Sequence, residues 1–181
     1  MRPLTVAVTG GIGAGKTQAL WSFARRGVPV LSADEVVHEL ISDDAEVRAA
    51  LEERFGTTDR TRIGEAVFAD REQLAWLESL VHPRVRRATE AWLAGLDAPV
   101  AVVEIPLLYE TGGDARFDKV VVITAPAEVR EARAPRAKDR RSDRLIADDE
   151  KVRRADFAYV NDGTLDELDA FVGQVLDSLT R

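Results

Sequence analysis

Leu4-Thr5-Val6-Ala7-Val8-Thr9 runs directly into Gly10-Gly11-Ile12-Gly13-Ala14-Gly15-Lys16-Thr17, and a helical pattern from Thr17 to Arg26 follows. The octet fits G-x-x-x-x-G-K-[ST], and it lies between an apolar strand and a helix, where a phosphate loop has to be. Glycines let the backbone turn its N–H groups inward around phosphate oxygens, while the start of the helix aims its partial positive charge at them. A bare strand-to-helix turn has no need of Lys and Thr directly after its last glycine. Lys16 suits the β- and γ-phosphates of a nucleotide, and the Thr17 hydroxyl suits Mg²⁺.

Composition agrees with one enzyme-sized domain. A chain of 181 residues that is 45% apolar can bury a real core. Its net charge of −7 argues against a general nucleic-acid binder, so any positive site must be local. No apolar stretch approaches a membrane span, and the opening residues read as strand rather than leader, which makes a cytoplasmic protein without a membrane partner the simplest expectation. The absence of cysteine excludes disulfides, thiolate metal sites and a thiol nucleophile. The pattern of helix faces does not reveal an oligomeric surface, and a monomer is the default.

Apolar, β-branched runs at Leu4 to Thr9, Val28 to Leu31, Val100 to Ile105, Val120 to Thr124 and Phe157 to Val160 alternate with helical segments. Strands this uniformly apolar belong to a parallel sheet covered on both faces, and the alternation gives an α/β fold. Gly27 is placed to stop the first helix. Thr164 and Glu167 form a capping-box pair ahead of the last one. The stretch from Glu35 to Pro99 reads as helices without a strand, far more than a crossover needs. It is expected to form a helical subdomain beside the carboxyl ends of the strands, where open α/β sheets bind ligands.

The phosphate loop, Ser32-Ala33-Asp34 after the second strand, Val67-Phe68-Ala69-Asp70, His82-Pro83, Pro106-Leu107-Leu108-Tyr109-Glu110-Thr111-Gly112, and Ala155-Asp156 with Asn161 occur in this order. In that order the chain resembles the dephospho-CoA kinases over nearly its whole length. The resemblance implies a three-layer P-loop kinase fold with a five-stranded parallel sheet ordered 2-3-1-4-5. It further implies a core at 1–34, 97–132 and 150–181, a helical acceptor-binding insertion at 35–96 and a short lid at 133–149. The implied reaction is ATP-dependent phosphorylation of the ribose 3′-hydroxyl of dephospho-coenzyme A, the last step of coenzyme A synthesis, with ATP and Mg²⁺ required. Another small-molecule or nucleoside kinase, or an idle ATP-binding relative, is the alternative.

The same resemblance gives roles to single residues. Asp34 matches the acid that contacts the acceptor hydroxyl, where it can orient the group and take its proton; as a first-turn acid it also favours its helix dipole. Ser32 stands where the family usually carries a second Asp. His82, read with Pro83 as a helix start, matches an acceptor-side histidine, and Arg86 lies four residues on, on the same helical side. His82 equally suits a packing role, and Arg86 a solvated face. Glu104, at the end of the third strand, matches an acid of the Mg²⁺ shell. Glu110 follows the turn forced by Pro106 and either closes it or reaches substrate. Asn161 either borders the adenine or belongs to an ordinary Asn-Asp-Gly turn.

Between Arg130 and Arg144 seven basic residues face three acids. Such an excess in an acidic protein suits a lid that closes over ATP, with Arg140 the first choice for the phosphate contact and Arg136 and Arg144 next. The stretch is shorter than the family's lid, Pro135 interrupts its first helix, and the run Arg144-Leu145-Ile146-Ala147-Asp148 lacks the Gln expected there.

Overall fold

The structure, a computed structural model, describes residues 2–134 and 145–180. Its sheet has five parallel strands, β1 (Leu4–Thr9), β2 (Val30–Ser32), β3 (Val100–Glu104), β4 (Lys119–Thr124) and β5 (Phe157–Val160), in the order β2-β3-β1-β4-β5. The expected order is therefore the observed one. Helices α1 (Lys16–Arg25), α2 (Ala33–Asp43), α3 (Ala45–Phe55), α4 (Arg60–Ala69), α5 (Arg71–Ala94), α6 (Ala127–Arg133), α7 (Asp148–Arg154) and α8 (Leu165–Leu179) complete the described elements, with a short 3₁₀ turn at Asp114–Arg116. The chain divides into two compact units, one formed by 1–32 with 93–181 and the other by Ala33–Trp92.

In the first unit the strand period of two separates the faces. Val6, Val8, Val102, Val121 and Ile123 are buried on one face with Phe23 of α1 and with Leu168, Val172 and Val175 of α8. Ala7, Val120 and Val122 are buried on the other with Leu108 and Tyr109, against which Ile146 and Ala155 pack. Covering both faces accounts for the apolar strands. An ionic clasp ties α1 to α8, because Asp169 accepts hydrogen bonds from Ser22 at 2.6 Å, Arg25 at 2.7 Å and Arg26 at 2.6 Å. Thr164 and Glu167 make the capping box at the start of α8.

β2 starts later than the apolar run suggests. Gly27, at φ 77°, ends α1 with its N–H on the Ala24 carbonyl at 2.9 Å, and the Val28 N–H turns back to the Phe23 carbonyl at 3.3 Å. Val28 is thus part of the helix cap and not of the sheet. The ladder begins with the Pro29 carbonyl, which accepts from the Val102 N–H at 3.0 Å.

The second unit packs Ile41, Val47, Leu51, Ile63 and Val67 together, with Leu74, Leu77 and Leu80 of α5 against them. Asp44 and Asp59 cap α3 and α4, each accepting a backbone N–H at 2.9 Å. Contrary to the sequence reading, His82-Pro83 does not start a helix; Pro83 lies inside the 24-residue α5. An interior proline costs about 3 kcal/mol through a lost hydrogen bond and a clash. Here Leu74, Leu77 and Leu80, partly buried, and the buried Val81 precede the break, and Thr89 is buried beyond it, so the helix stays packed on both sides of Pro83. The Arg84 side chain also donates to the Leu80 carbonyl at 2.9 Å within the strained turn.

Candidate active site

The loop between β1 and α1 is shaped by close approaches that only glycine permits. Gly10, Gly13 and Gly15 have φ of 148°, 75° and 102°. A Cβ on Gly10 would run into the Ile123 carbonyl of β4, and one on Gly15 into the Asn161 side chain. The loop is consequently clamped between α1, the end of β4 and the start of the last loop. Lys16 folds back over it and donates from Nζ to the Gly11 carbonyl at 3.0 Å. Thr17, next on α1, is exposed.

Asn161 is buried, and its side-chain amide donates to the Ala14 carbonyl at 2.8 Å. Its backbone N–H donates to the Thr124 carbonyl at 2.7 Å, and its own carbonyl accepts from Arg133 at 3.0 Å. The amide, read from sequence as bordering adenine or as part of a turn, thus braces the phosphate loop. Oδ1 remains buried without a hydrogen-bond partner.

Glu104 pairs in register with Val8 on one side and Ser32 on the other, so it sits beside the mouth of the loop. It is buried, and the Ser32 hydroxyl donates to its Oε2 at 2.8 Å. Ser32 therefore donates a hydrogen bond to Glu104, a partnership that two carboxylates at these positions would not form without sharing a proton. Asp34 lies exposed in the first turn of α2, two residues beyond Ser32. On α5, His82 is half-buried and Arg86 is exposed.

Glu110, which the sequence left between closing its turn and reaching substrate, is held in a buried ion pair. Its side chain is 6% exposed, and Oε1 accepts from the Lys151 ammonium at 2.7 Å, itself 3% exposed, and from the Ile146 N–H at 3.2 Å. The carboxylate ties the loop after β3 to α7. Arg154 of α7 reinforces this attachment by lying 4.3 Å from the Tyr109 ring centroid and 3.0 Å from Asp114. No motif marks Lys151, whose partner is distant in sequence.

A cavity opens beside the phosphate loop, lined among others by Gly10, Gly11, Lys16, Pro106, Arg130 and Lys151. Arg130, which the sequence reading passed over in favour of Arg140, Arg136 and Arg144, lies against the loop: its Nη1 would stand 2.5 Å from a Cβ on Gly11. Arg136, Arg140 and Arg144, the expected lid contacts, together with Pro135, lie outside the described residues. Among the described residues no group of three acidic, histidine or cysteine side chains converges as a metal site, and no helix is long and apolar enough to cross a membrane. A divalent cation bound mainly by nucleotide phosphates needs no such group: Mg²⁺ keeps its waters and takes one or two protein ligands. The Thr17 hydroxyl and the Glu104 carboxylate fit that requirement.

Comparison with known proteins places the chain among relatives matched over nearly its whole length. The family described as dephospho-CoA kinase (CoaE) matches residues 4–167. The dephospho-CoA kinase of Mesorhizobium japonicum is 40% identical over 97% of this chain and 96% of its own length. That of Brucella melitensis is 36% identical over 98% and 96%. A crystal structure of a Thermus thermophilus protein superimposes with a TM-score of 0.82 at 32% identity, covering 100% of both chains. The fold is shared with a shikimate kinase from Bacteroides thetaiotaomicron, at TM-score 0.55 and 20% identity over 98% and 99% of the two chains. With a phosphate loop of this geometry and relatives matched end to end, the chain belongs to the dephospho-CoA kinase family.

Proposed function

We propose that this chain transfers the γ-phosphoryl group of ATP to the ribose 3′-hydroxyl of dephospho-coenzyme A, giving coenzyme A and ADP. The observation that carries the reading is the Gly10–Thr17 loop, braced by Asn161 and with Lys16 folded back over it, in a chain matched by the family over residues 4–167.

The loop N–H groups and Lys16 bind the β- and γ-phosphates and offset the charge that moves onto the leaving oxygen. Thr17 and Glu104 would hold Mg²⁺, which would supply positive charge against the nucleotide phosphates. The Asp34 carboxylate accepts a hydrogen bond from the acceptor hydroxyl and then its proton as the new O–P bond forms and the bond to ADP breaks. In a loose transition state the hydroxyl loses its proton late, so an ordinary carboxylate is basic enough. His82 and Arg86, one helical turn apart, provide a hydrogen-bonding group and a guanidinium for the acceptor's own phosphates. Glu110 acts indirectly, by holding the chain that leads into α7.

A panel of acceptors tests the reading. With Mg-ATP, ADP should form rapidly with dephospho-coenzyme A and at background rate with adenosine, AMP or shikimate. Equal or faster turnover with a nucleoside would assign the chain a different acceptor.

A further inference from the structure

Arg130 lies where α6 presses on the phosphate loop. A Cβ on Gly13 would meet the Arg130 carbonyl at 2.7 Å and its Cα at 3.1 Å, and one on Gly11 would meet Nη1 at 2.5 Å. Both backbone and guanidinium therefore touch the loop, and two of its glycines are small enough to allow it. The Lys16 ammonium is bound to the carbonyl of the same Gly11 at 3.0 Å. Two cations thus gather around one loop residue, on the wall of one cavity.

The guanidinium is poorly matched by its protein surroundings. Its ion pair, from Nη1 to Asp148, is 3.4 Å long, against 2.6 Å for Arg26 with Asp169 and 2.8 Å for Arg153 with Asp149. Its Nε is buried without a hydrogen-bond partner. Charge-assisted pairs are normally shorter, and buried donors are normally satisfied. Lys151, also on the cavity wall, is by contrast bound to Glu110 at 2.7 Å. A planar fork with an unmet donor beside a phosphate loop has the geometry for two phosphate oxygens.

We propose that Arg130 is a catalytic residue that binds the terminal phosphoryl group of the nucleotide, and that Asp148 is the counter-ion it exchanges for that phosphate. On this assignment the charge of the transferring group is met from the middle of α6, the role that sequence reading gave to Arg140. The proposal rests on the reading of the loop as an ATP site. Two carboxylates, Glu131 and Asp148, share the cavity wall with Lys16, Arg130 and Lys151. Nucleotide entry must therefore separate Asp148 from Arg130, and weakening Asp148 should favour it.

The test uses calorimetric binding of ATP, ADP and AMP to the whole protein, and steady-state kinetics. In Arg130→Gln, kcat should fall about a hundredfold or more, the scale of one lost charge-stabilising donor. The ATP-over-AMP affinity ratio should fall about tenfold, since only polyphosphates reach the guanidinium. Arg130→Lys should recover part of that ratio but little of kcat. Asp148→Asn should bind ATP a few-fold more tightly and leave AMP unchanged, a result that a merely structural ion pair would not give. An Arg130→Gln protein with parental kcat and an unchanged ratio overturns the proposal; if that variant does not fold, an Asp148→Asn protein with unaltered or weaker ATP binding does so. Because the binding ratios need no acceptor, they stand apart from the acceptor panel: failure of dephospho-coenzyme A as substrate would leave them readable.

Discussion

Replacing Lys151 by Met removes an ammonium that lies 2.7 Å from Glu110 with both side chains almost wholly buried, at 3% and 6% exposure. The remaining carboxylate would keep the Ile146 N–H at 3.2 Å on Oε1 and nothing on Oε2, which already lacks a partner. Breaking a buried pair from one side costs about 3–5 kcal/mol, because the surviving charge is left in a poor solvent. Against a total stability of about 5–15 kcal/mol this is a large fraction. With a urea dependence of about 2 kcal/mol per molar, a loss of about 4 kcal/mol moves the unfolding midpoint down by about 2 M. Far-UV circular dichroism across a urea series reads the shift directly. The double variant Glu110→Gln with Lys151→Met keeps an amide oxygen for the Ile146 N–H and carries no charge, so it should recover more than half of the loss. A Lys151→Met midpoint within about 0.5 M of the parent, or a double variant no better than the single one, would refute the idea that this pair fastens α7 to the loop after β3.

Three further outcomes follow from the site and its supports. Lys16→Ala should weaken ATP binding and lower turnover by roughly a hundredfold or more, checked by calorimetry and initial rates; parental values for both would remove Lys16 from the phosphates. Asp34→Asn should keep ATP affinity while slowing transfer by about a hundredfold, measured as acceptor-dependent ADP release; a variant as fast as the parent would take Asp34 out of the mechanism. Hydrogen bonds from Arg26, then Ser22 and Arg25, hold the Asp169 carboxyl well below the usual carboxylate range. Since its folded-state pKa is depressed, the clasp stabilises the protein above the ordinary carboxylate pKa and is lost as pH falls through and below it. Asp169→Asn should accordingly melt at a lower temperature at neutral pH, while the gap to the parent narrows below about pH 3; a gap independent of pH would contradict the clasp.

The sheet was legible because its central strands β1, β3 and β4 are buried on both sides, so Val6 to Val8 or Val120 to Ile123 had no polar alternation to blur them. The phosphate loop was legible because its glycines answer to backbone geometry that other residues do not share, as at Gly10 and Gly15. What escaped were features set by neighbours distant in sequence. Pro83 reads as a helix boundary on local grounds, yet buried side chains before it, such as Val81, and after it, at Thr89, hold one continuous helix. Glu110 reads as a turn acid because Lys151 carries no local sign of being its partner. Arg130 is one basic residue in a basic run until α6 is seen to rest on Gly11 and Gly13. Asn161 reads as turn chemistry, whereas its amide reaches the Ala14 carbonyl across the chain.

The most direct test of the central claim is to incubate the protein with Mg-ATP and dephospho-coenzyme A, follow ADP release, and determine the product's mass and phosphate position by mass spectrometry and phosphorus NMR. The account predicts acceptor-dependent ADP and one added phosphate on the ribose 3′-oxygen. ATP binding without transfer to dephospho-coenzyme A, or a phosphate placed elsewhere, would contradict it.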